Sequence, residues 1–188
     1  MRKELKEIID KDLSRVYTKK LSLIEKLSLP LEIKYLIQYR KAAYYTQTNP
    51  SLIKGKLARH KLLKMSERTQ IQISAFVKAD AGLYIGHLGR IIIHPDVTLG
   101  KNVNLATGIT LGQANRGKLK GVPTIGNNVW IGTNAVVVGN INIGNDVLIA
   151  PNAYVNMDVP DHSIVIGNPA TIHSSEYATK DYINRTVE

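Results

Sequence analysis

Two histidines, His87 and His94, lie seven residues apart in the stretch YIGHLGRIIIHPDVTLG, which covers residues 84–100. The chain has five histidines and no cysteine, so a thiolate nucleophile, a disulfide and a cysteine metal site are excluded. Imidazole ordinarily titrates near pH 6.5 and can take the proton of a hydroxyl while that hydroxyl attacks an electrophile. General base catalysis is therefore the chemistry that this stretch offers, and the question is which histidine performs it.

Other kinds of site are not indicated. The chain has no G-x-S-x-G motif, so an acyl-enzyme route through a serine lacks support. No pair of histidines has H-x-H or H-x₃-H spacing, and we expect no metal. His60, His162 and His173 are expected to be exposed or structural.

From about residue 71 onwards, aliphatic residues recur every six positions, a period that neither an α-helix nor a hairpin sheet produces. Three short strands per turn, each with one aliphatic residue pointing inward and a small residue at the corner, explain this period. The pattern predicts a mainly β fold, a parallel β-helix of triangular cross-section over residues 71–172. One gapless run comprises Ile125, Ile131, Val137, Ile143, Ile149 and Val155, and an earlier run comprises Ile93, Leu99, Leu105 and Leu111.

The two runs are out of phase because 14 residues, eight more than one hexad, separate Leu111 from Ile125. The surplus predicts a loop over residues 113–124, QANRGKLKGVPT, that is extruded from the prism. This loop is polar and basic, and loops on a rigid scaffold often carry function. The pairs Asn127-Asn128, Gly144-Asn145 and Gly100-Lys101 are expected at corners with positive φ.

Residues 1–70 have helical periodicity and predict an N-terminal helical segment, with a break at Asn49-Pro50. This segment has 17 Lys and Arg against 7 Asp and Glu, so it carries the whole formal charge of +10. Since lysines and acidic residues are interleaved, we expect a solvated surface and no nucleic acid partner, with peripheral membrane contact as the alternative. The charged beginning and the lack of long apolar runs favour a cytoplasmic location. Residues 173–188 are expected to form a C-terminal tail.

Aromatic residues are expected to pack rather than to bind ligands. Trp130, the only tryptophan, is predicted to pack against a neighbouring coil or subunit. The tyrosines Tyr35, Tyr39, Tyr44 and Tyr45 are predicted to pack between helices, with sugar stacking as the alternative.

The repeat, the loop and the sequence GNPA at 167–170 resemble the left-handed parallel β-helix acyltransferases. The resemblance covers residues 71–172 and is strongest to the serine acetyltransferase-like group, including the capsule and surface-polysaccharide O-acetyltransferases of bacteria. It implies acetyl-CoA as acyl donor, a hydroxyl acceptor, and a homotrimer or a pair of trimers with sites between prisms. The catalytic histidine of that group matches His87 and not His94.

The resemblance also implies binding positions for CoA along the extruded loop and the later coils. These positions match Gly112, Thr133 and Pro151. Within the loop, Asn115, Arg116, Lys118 and Lys120 are added as candidates, because cationic side chains suit the phosphates of CoA.

Several residues depart from the serine acetyltransferase pattern. Gln72 and Gly86 stand where that group has aspartates, and Gly121 and Val122 replace its Arg-His pair. A glutamine can orient His87 but cannot stabilise imidazolium as a carboxylate does, and Asp80 and Asp96 are the alternatives. These losses favour a sugar or polysaccharide precursor as acceptor. The alternatives are a serine O-acetyltransferase of cysteine biosynthesis and a non-catalytic β-helix scaffold.

Overall fold

The computed structural model describes residues 3–19, 21, 22, 24, 25, 28–47 and 52–188, so the break at Asn49-Pro50 lies outside the described residues. Among the described residues, the helices α1 (Lys3–Ser14), α2 (Leu31–Gln47) and α3 (Leu52–Thr69) precede the strands. None of the described helices is long and apolar enough to cross a membrane. The strands are β1 (Ile71–Ile73), β2 (Lys78–Ala79), β3 (Tyr84–Ile85), β4 (Ile91–Ile93), β5 (Thr98–Leu99), β6 (Asn104–Leu105), β7 (Thr110–Gly112), β8 (Thr124–Ile125), β9 (Val129–Ile131), β10 (Val136–Val138), β11 (Asn142–Ile143), β12 (Val147–Ile149), β13 (Tyr154–Val155), β14 (Ser163–Ile166) and β15 (Thr171–Ser174).

The strands form three sheets that wind around one core as a parallel β-helix, which confirms the predicted fold class. The first sheet has the order β1-β4-β7-β10-β13, the second β11-β8-β5-β2, and the third β15-β14-β12-β9-β6-β3. Ile92 pairs with Thr110, and Val136 with Tyr154, so a regular turn takes 18 residues, which is three hexads. Only β15 runs antiparallel to its neighbour, where it folds back on β14.

The hexad residues fill the prism as the sequence predicts. Ile131, Val137 and Ile149 have no exposed surface, and the earlier run from Ile93 to Leu111 is equally buried. Their buried side chains form one continuous cluster that also includes residues of α2 and α3. Each aliphatic side chain is worth about 1.5–3 kcal/mol when fully buried, so this column is the main source of stability.

Left-handed backbone conformations recur at one corner of the prism, between the second and third sheets. Gly82, Asn102, Asn128, Asp146 and His162 all have positive φ and stack from turn to turn. Asn128 was expected there, but the pairs at Gly100-Lys101 and Gly144-Asn145 do not adopt positive φ. The left-handed residue follows each pair, at Asn102 and Asp146, because the corner needs its sharp bend at that later position.

Helix α2 closes the first turn of the prism and makes the helical segment part of the same folded unit. Tyr35 and Tyr39 have no exposed surface. The Tyr35 hydroxyl accepts a hydrogen bond from Ile73 N at 2.9 Å, and the Tyr39 hydroxyl donates to Val77 O at 2.9 Å. Both tyrosines therefore supply partners to backbone groups that a first turn would otherwise leave unpaired.

A buried ion pair joins helices α1 and α2 to the corner before β3. Asp12 Oδ2 lies 2.7 Å from Arg40 Nε, and Asp12 Oδ1 lies 3.0 Å from Arg40 Nη2. Asp12 Oδ1 also accepts hydrogen bonds from Gly82 N and Leu83 N. The carboxylate thus has charged and backbone partners from three separate parts of the chain.

Residues 175–188, here called the C-terminal strap, return from the last turn of the prism to helix α1. Asp146 accepts hydrogen bonds from Ala178 N and Thr179 N, and the Tyr182 ring lies 4.9 Å from that of Trp130. Further along, Asn102 bonds Val187, and Lys11 Nζ donates to Glu188 O. The tail expected at 173–188 is therefore bound along the length of the prism.

We expect the strap to be held most firmly between about pH 4 and pH 6.5. Burial tends to raise the pKa of Asp146, but hydrogen bonds from Thr179 and His162 lower it overall. Its contribution is therefore present above the ordinary carboxyl pKa of about 3.9 and is lost as pH falls through the lower folded value. The hydrogen bond to Asp146 raises the pKa of His162. That contribution is complete below about pH 6.5 and is lost as pH rises through the raised folded value.

Amide hydrogen exchange of residues 175–188, measured against pH, checks this prediction. Asp146→Asn should increase exchange in the strap and flatten its pH dependence. Asp181→Asn is the control, since Asp181 is an exposed carboxylate of the same strap. An unchanged pH profile in Asp146→Asn would contradict the assignment.

Candidate active site

His87 lies at an enlarged corner of the prism, between β3 of the third sheet and β4 of the first. Ile85 pairs with Leu105, and Ile92 pairs with Thr110. Ile92 follows Ile85 by seven positions, whereas Thr110 follows Leu105 by only five. The corner thus contains two residues more than the one below it. Because of this insertion, His87 and Leu88 are exposed to solvent.

Gly89 allows the enlarged corner to close against the rest of the molecule. Its φ is +133°, in the region that favours glycine, and its N–H donates to Thr69 O at 3.2 Å. A Cβ atom at this position would collide with the Thr107 hydroxyl. The backbone on the C-terminal side of His87 is therefore fixed at a position that only glycine can occupy without strain.

Gly89→Ala is expected to reduce the activity proposed below by at least about tenfold, while the prism stays folded. The added methyl group must push Thr107 or the corner aside, and misplacement of a catalytic group by about 1 Å can cost about 100-fold. Steady-state kinetics together with a thermal unfolding curve measure both effects. Gly144→Ala is the control, because a Cβ atom there would also collide with a side chain of an adjacent turn, Asp161, but at a corner away from His87 and the extruded loop. Equal losses in both variants would show that the corner does not position His87.

The corners below His87 form a column that includes two of the predicted CoA positions, Thr133 and Pro151. Counting two residues beyond the paired Ile85, Leu105, Ile131 and Ile149 gives His87, Thr107, Thr133 and Pro151. Thr107 O and Thr133 O are bonded to Asn134 N and Asn152 N of the following turns. The structure therefore brings the predicted residues Thr133 and Pro151 onto the same edge of the prism as His87, two and three turns away.

The extruded loop begins after β7, at the corner between the first and second sheets. It is a small hairpin closed by Ala114 and Gly121, whose backbones exchange hydrogen bonds of 2.9 and 3.0 Å. Its Leu119 O accepts from Asn140 N at 2.9 Å, so the loop leans on the next turn. The predicted residues Asn115, Arg116, Lys118 and Lys120 are all exposed.

The donor set of the loop suits an anionic group. Among the described residues, no carboxylate forms an ion pair with Arg116, Lys118 or Lys120. These cations are therefore available for phosphates. Within one chain, the loop and His87 lie at opposite edges of the first sheet. A strand of three residues spans about 10 Å, so the width of this sheet separates the loop from His87.

Gln72 and His94 lie together in a cavity of about 720 Å³ between α3 and the first sheet, and Gly112 also lines it. The lining does not include His87. His94 sits in the turn after β4, where its Nδ1 lies 3.3 Å from Asp96 N and accepts that hydrogen bond. It is a turn residue, as predicted.

No residue of the described chain hydrogen-bonds the side chain of His87. Gln72, predicted to orient it, makes no such bond within one chain, and Asp96 is engaged beside His94. Asp80, the other alternative, lies at the corner between the second and third sheets.

The remaining histidines are not near this corner. His60 is exposed on α3, His162 bonds Asp146 at 2.9 Å, and His173 lies 3.1 Å from the Thr171 hydroxyl on β15. Within the part of the chain that the structure describes, no three His, Asp or Glu side chains are grouped as metal ligands. Trp130 packs on Tyr182 of the strap, and Asn104 and Leu148 are its paired residues in the adjacent coils.

Comparisons with known proteins bear on this arrangement. Residues 123–156 match the family model described as bacterial transferase hexapeptide (six repeats). The serine acetyltransferase of Helicobacter pylori strain 26695 is 38% identical over 102 residues, which are 54% of this chain and 60% of that protein. That of Staphylococcus aureus strain Mu50 is 38% identical over 104 residues, 55% of this chain and 49% of that protein.

Solved structures match over more of the chain. The serine acetyltransferase of Brucella abortus strain S19 in complex with coenzyme A has a TM-score of 0.77 at 24% identity and covers 92% of this chain and 68% of that one. The Neisseria gonorrhoeae serine acetyltransferase in complex with serine has a TM-score of 0.71 at 25% identity, covering 91% and 69%. This chain shares its fold with serine acetyltransferases. It spans about half to three fifths of the length of the curated relatives.

These relatives are all named for serine, so closeness to the capsule and polysaccharide O-acetyltransferases is not supported. Three features around the site were also not predicted from the sequence. They are the two-residue insertion at His87, the contact between Gly89 and Thr107, and the placement of Arg15 against β3. The only signal for the insertion is that the hexad register begins at Ile93, after His87.

Proposed function

We propose that this chain is an O-acetyltransferase that uses acetyl-CoA, with His87 as general base. The observation that carries the proposal is the enlarged corner, which exposes His87 at the head of the column with Thr133 and Pro151. The similarity to serine acetyltransferases supports it. In the reaction, His87 takes the proton of the acceptor hydroxyl as its oxygen attacks the thioester carbonyl. The C–S bond then breaks, and the proton passes to the leaving thiolate of CoA.

CoA is proposed to lie along this column and to reach the extruded loop of a neighbouring subunit. Arg116, Lys118 and Lys120 would meet its phosphates, with Asn115 and Gly112 beside them. A homotrimer is proposed because a single chain holds His87 and the loop on different edges of the first sheet. In a cyclic assembly, the loop of one subunit can approach the His87 edge of the next.

L-Serine is the first acceptor that we propose, since the relatives are named for it. A specific observation keeps a sugar hydroxyl as the second candidate. Gln72, Gly86, Gly121 and Val122 occupy the positions at which the resemblance places the residues that recognise serine. None of these four side chains carries a charge, so none can pair with the ammonium or the carboxylate of serine.

The test is release of CoA thiol from acetyl-CoA with a panel of acceptors that includes L-serine and neutral and acidic monosaccharides. Turnover with L-serine at a kcat/KM well above any sugar supports the first acceptor, and the reverse ranking supports the second. Binding of CoA with no turnover on any hydroxyl would contradict the proposed activity and favour a non-catalytic scaffold.

A further inference from the structure

A groove, here called the α2 groove, runs along helix α2 between α1 and α3. It has a volume of about 490 Å³, which is in the range of pockets that hold small molecules. Its floor is one stripe of α2, formed by Lys34, Ile37, Gln38 and Lys41, which lie three or four positions apart. The groove is separate from the other cavity described above and from the proposed catalytic corner, since it shares no lining residue with either.

The interior of the α2 groove is apolar. Aliphatic side chains from all three helices and from the segment before α2 line it, namely Ile9, Leu13, Leu29, Leu31, Ile37 and Met65. Ile37 and Met65 are only half-buried. The groove therefore leaves apolar surface exposed within a concave site, and a ligand with an apolar part would remove that surface from water.

Cations surround this apolar interior. Lys6 of α1, Lys34 and Lys41 of α2 and Arg68 of α3 belong to the lining. None of them forms an ion pair with a described residue, and neither does Asp10, the only carboxylate of the described lining. Lys34 and Lys41 are half-buried, as is typical of lysines whose alkyl stems cover apolar surface while the ammonium group stays in water. The groove thus combines apolar walls with a net positive charge at its rim.

The dimensions of the α2 groove favour an alkyl chain over a peptide. The seven positions from Lys34 to Lys41 span about 10 Å along the helix axis. A docked helix of that length would occupy roughly 1,000 Å³, because a helix with its side chains is about 10–12 Å wide. That is about twice the volume of the groove. A second copy of this chain is disfavoured as well, since a face that pairs with itself would bring cations against cations.

We infer that the α2 groove binds an anionic amphiphile, with its alkyl chain along α2 and its carboxylate or phosphate head at the rim lysines. The apolar walls select the chain, and the cations without ion-pair partners in the described chain select the head. This site is additional to the proposed acetyl transfer and does not depend on it. Free fatty acids and anionic membrane lipids share this chemistry, and the experiments below distinguish them.

Isothermal titration calorimetry with dodecanoate, below its micelle-forming concentration, measures the site directly. Dodecanoate should bind saturably at one site per chain. Acetate has the same head without the chain, and dodecyltrimethylammonium has the same chain with the opposite charge, so neither should saturate. Lys34→Gln/Lys41→Gln should raise the Kd for dodecanoate at least about tenfold, the effect of losing a charge-assisted hydrogen bond. An unchanged Kd in that variant would overturn the inference.

Two control variants separate the groove from general charge attraction. Lys54→Gln/Lys56→Gln removes the same charge from exposed lysines of α3 that do not line the groove, and it should leave the Kd unchanged. Ile37→Phe keeps every cation but narrows the groove, so it should weaken dodecanoate binding, and a thermal unfolding curve checks that the helices remain folded. Equal losses in the two double variants, or full binding in a folded Ile37→Phe protein, would contradict the assignment.

Co-sedimentation with phosphatidylcholine vesicles that contain phosphatidylglycerol distinguishes the two sources of the ligand. Vesicle binding that is lost in Ile37→Phe would identify a membrane lipid, whereas dodecanoate binding without vesicle binding would identify a free amphiphile. Sedimentation velocity tests the second copy, and a smaller assembly in Ile37→Phe would show that a subunit fills the groove and would overturn the inference. Absence of both dodecanoate binding and Ile37-dependent vesicle binding would overturn it too, while leaving the proposed acetyl transfer to its own assay.

Discussion

Replacement of His87 by alanine is expected to lower kcat/KM for acetyl transfer by about 10²–10⁴-fold. This is the usual contribution of a positioned general base, because the free hydroxyl is a poor nucleophile at neutral pH. The side chain is exposed and makes no hydrogen bond within the described chain, so the substitution removes no packing. The free energy of unfolding should therefore change by no more than about 0.5 kcal/mol.

Two other histidines provide matched comparisons for this variant. His60→Ala removes an exposed imidazole from α3 and should leave both activity and stability almost unchanged. His94→Ala removes the turn hydrogen bond to Asp96 N, so it should cost a little stability and at most a few-fold in rate. Initial rates over a range of acceptor concentrations, with thermal unfolding of each variant, distinguish these cases. A His87→Ala protein within threefold of wild type, or a larger loss in His94→Ala, would remove His87 as the base.

The fold could be predicted from the sequence because every hexad has the same structural requirement, an aliphatic residue at the position that points inward. Ile125, Ile131 and Val137 are each placed by one local rule, that a short strand points one aliphatic side chain inward. A rule repeated about ten times survives local exceptions, and the insertion after Leu111 appeared simply as a shift in phase. At two corners the residue with positive φ lies one position after the predicted pair. A six-residue period fixes where a corner lies, but not which of its residues takes positive φ.

The surroundings of the candidate site could not be predicted in the same way. The contact of Gly89 with Thr107 joins adjacent turns, and that of Arg15 with Asn184 joins the two ends of the chain. No period of the sequence relates these pairs. A signal did exist in α1, where Asp12 occupies the same helix face as Leu5 and Ile9 and is buried with them. A charged residue on an apolar face indicates a buried partner, although the sequence does not say which one.

Asp12→Ala is expected to be the most destabilising single substitution among those considered, at about 3–5 kcal/mol. Removing one partner of a buried ion pair leaves the other charge uncompensated, here Arg40, which is 4% exposed. It also removes the acceptor of the Gly82 and Leu83 amides at the corner before β3. For a chain of this size the melting temperature should fall by on the order of 10 °C.

Control variants distinguish the loss of stability caused by breaking the Asp12–Arg40 pair from that caused by any substitution in α1. Asp10→Ala removes a carboxylate two positions earlier that forms no ion pair with any described residue, and it should shift the melting temperature by no more than about 2 °C. Combining Asp12→Ala with Arg40→Met should recover part of the stability, because the uncompensated cation is gone although the backbone groups remain unpaired. Thermal and urea unfolding of Asp12→Ala, Arg40→Met and the double variant measure this coupling. Strictly additive losses in the double variant would mean that the two side chains act independently and that the buried pair is not what joins the helices to the prism.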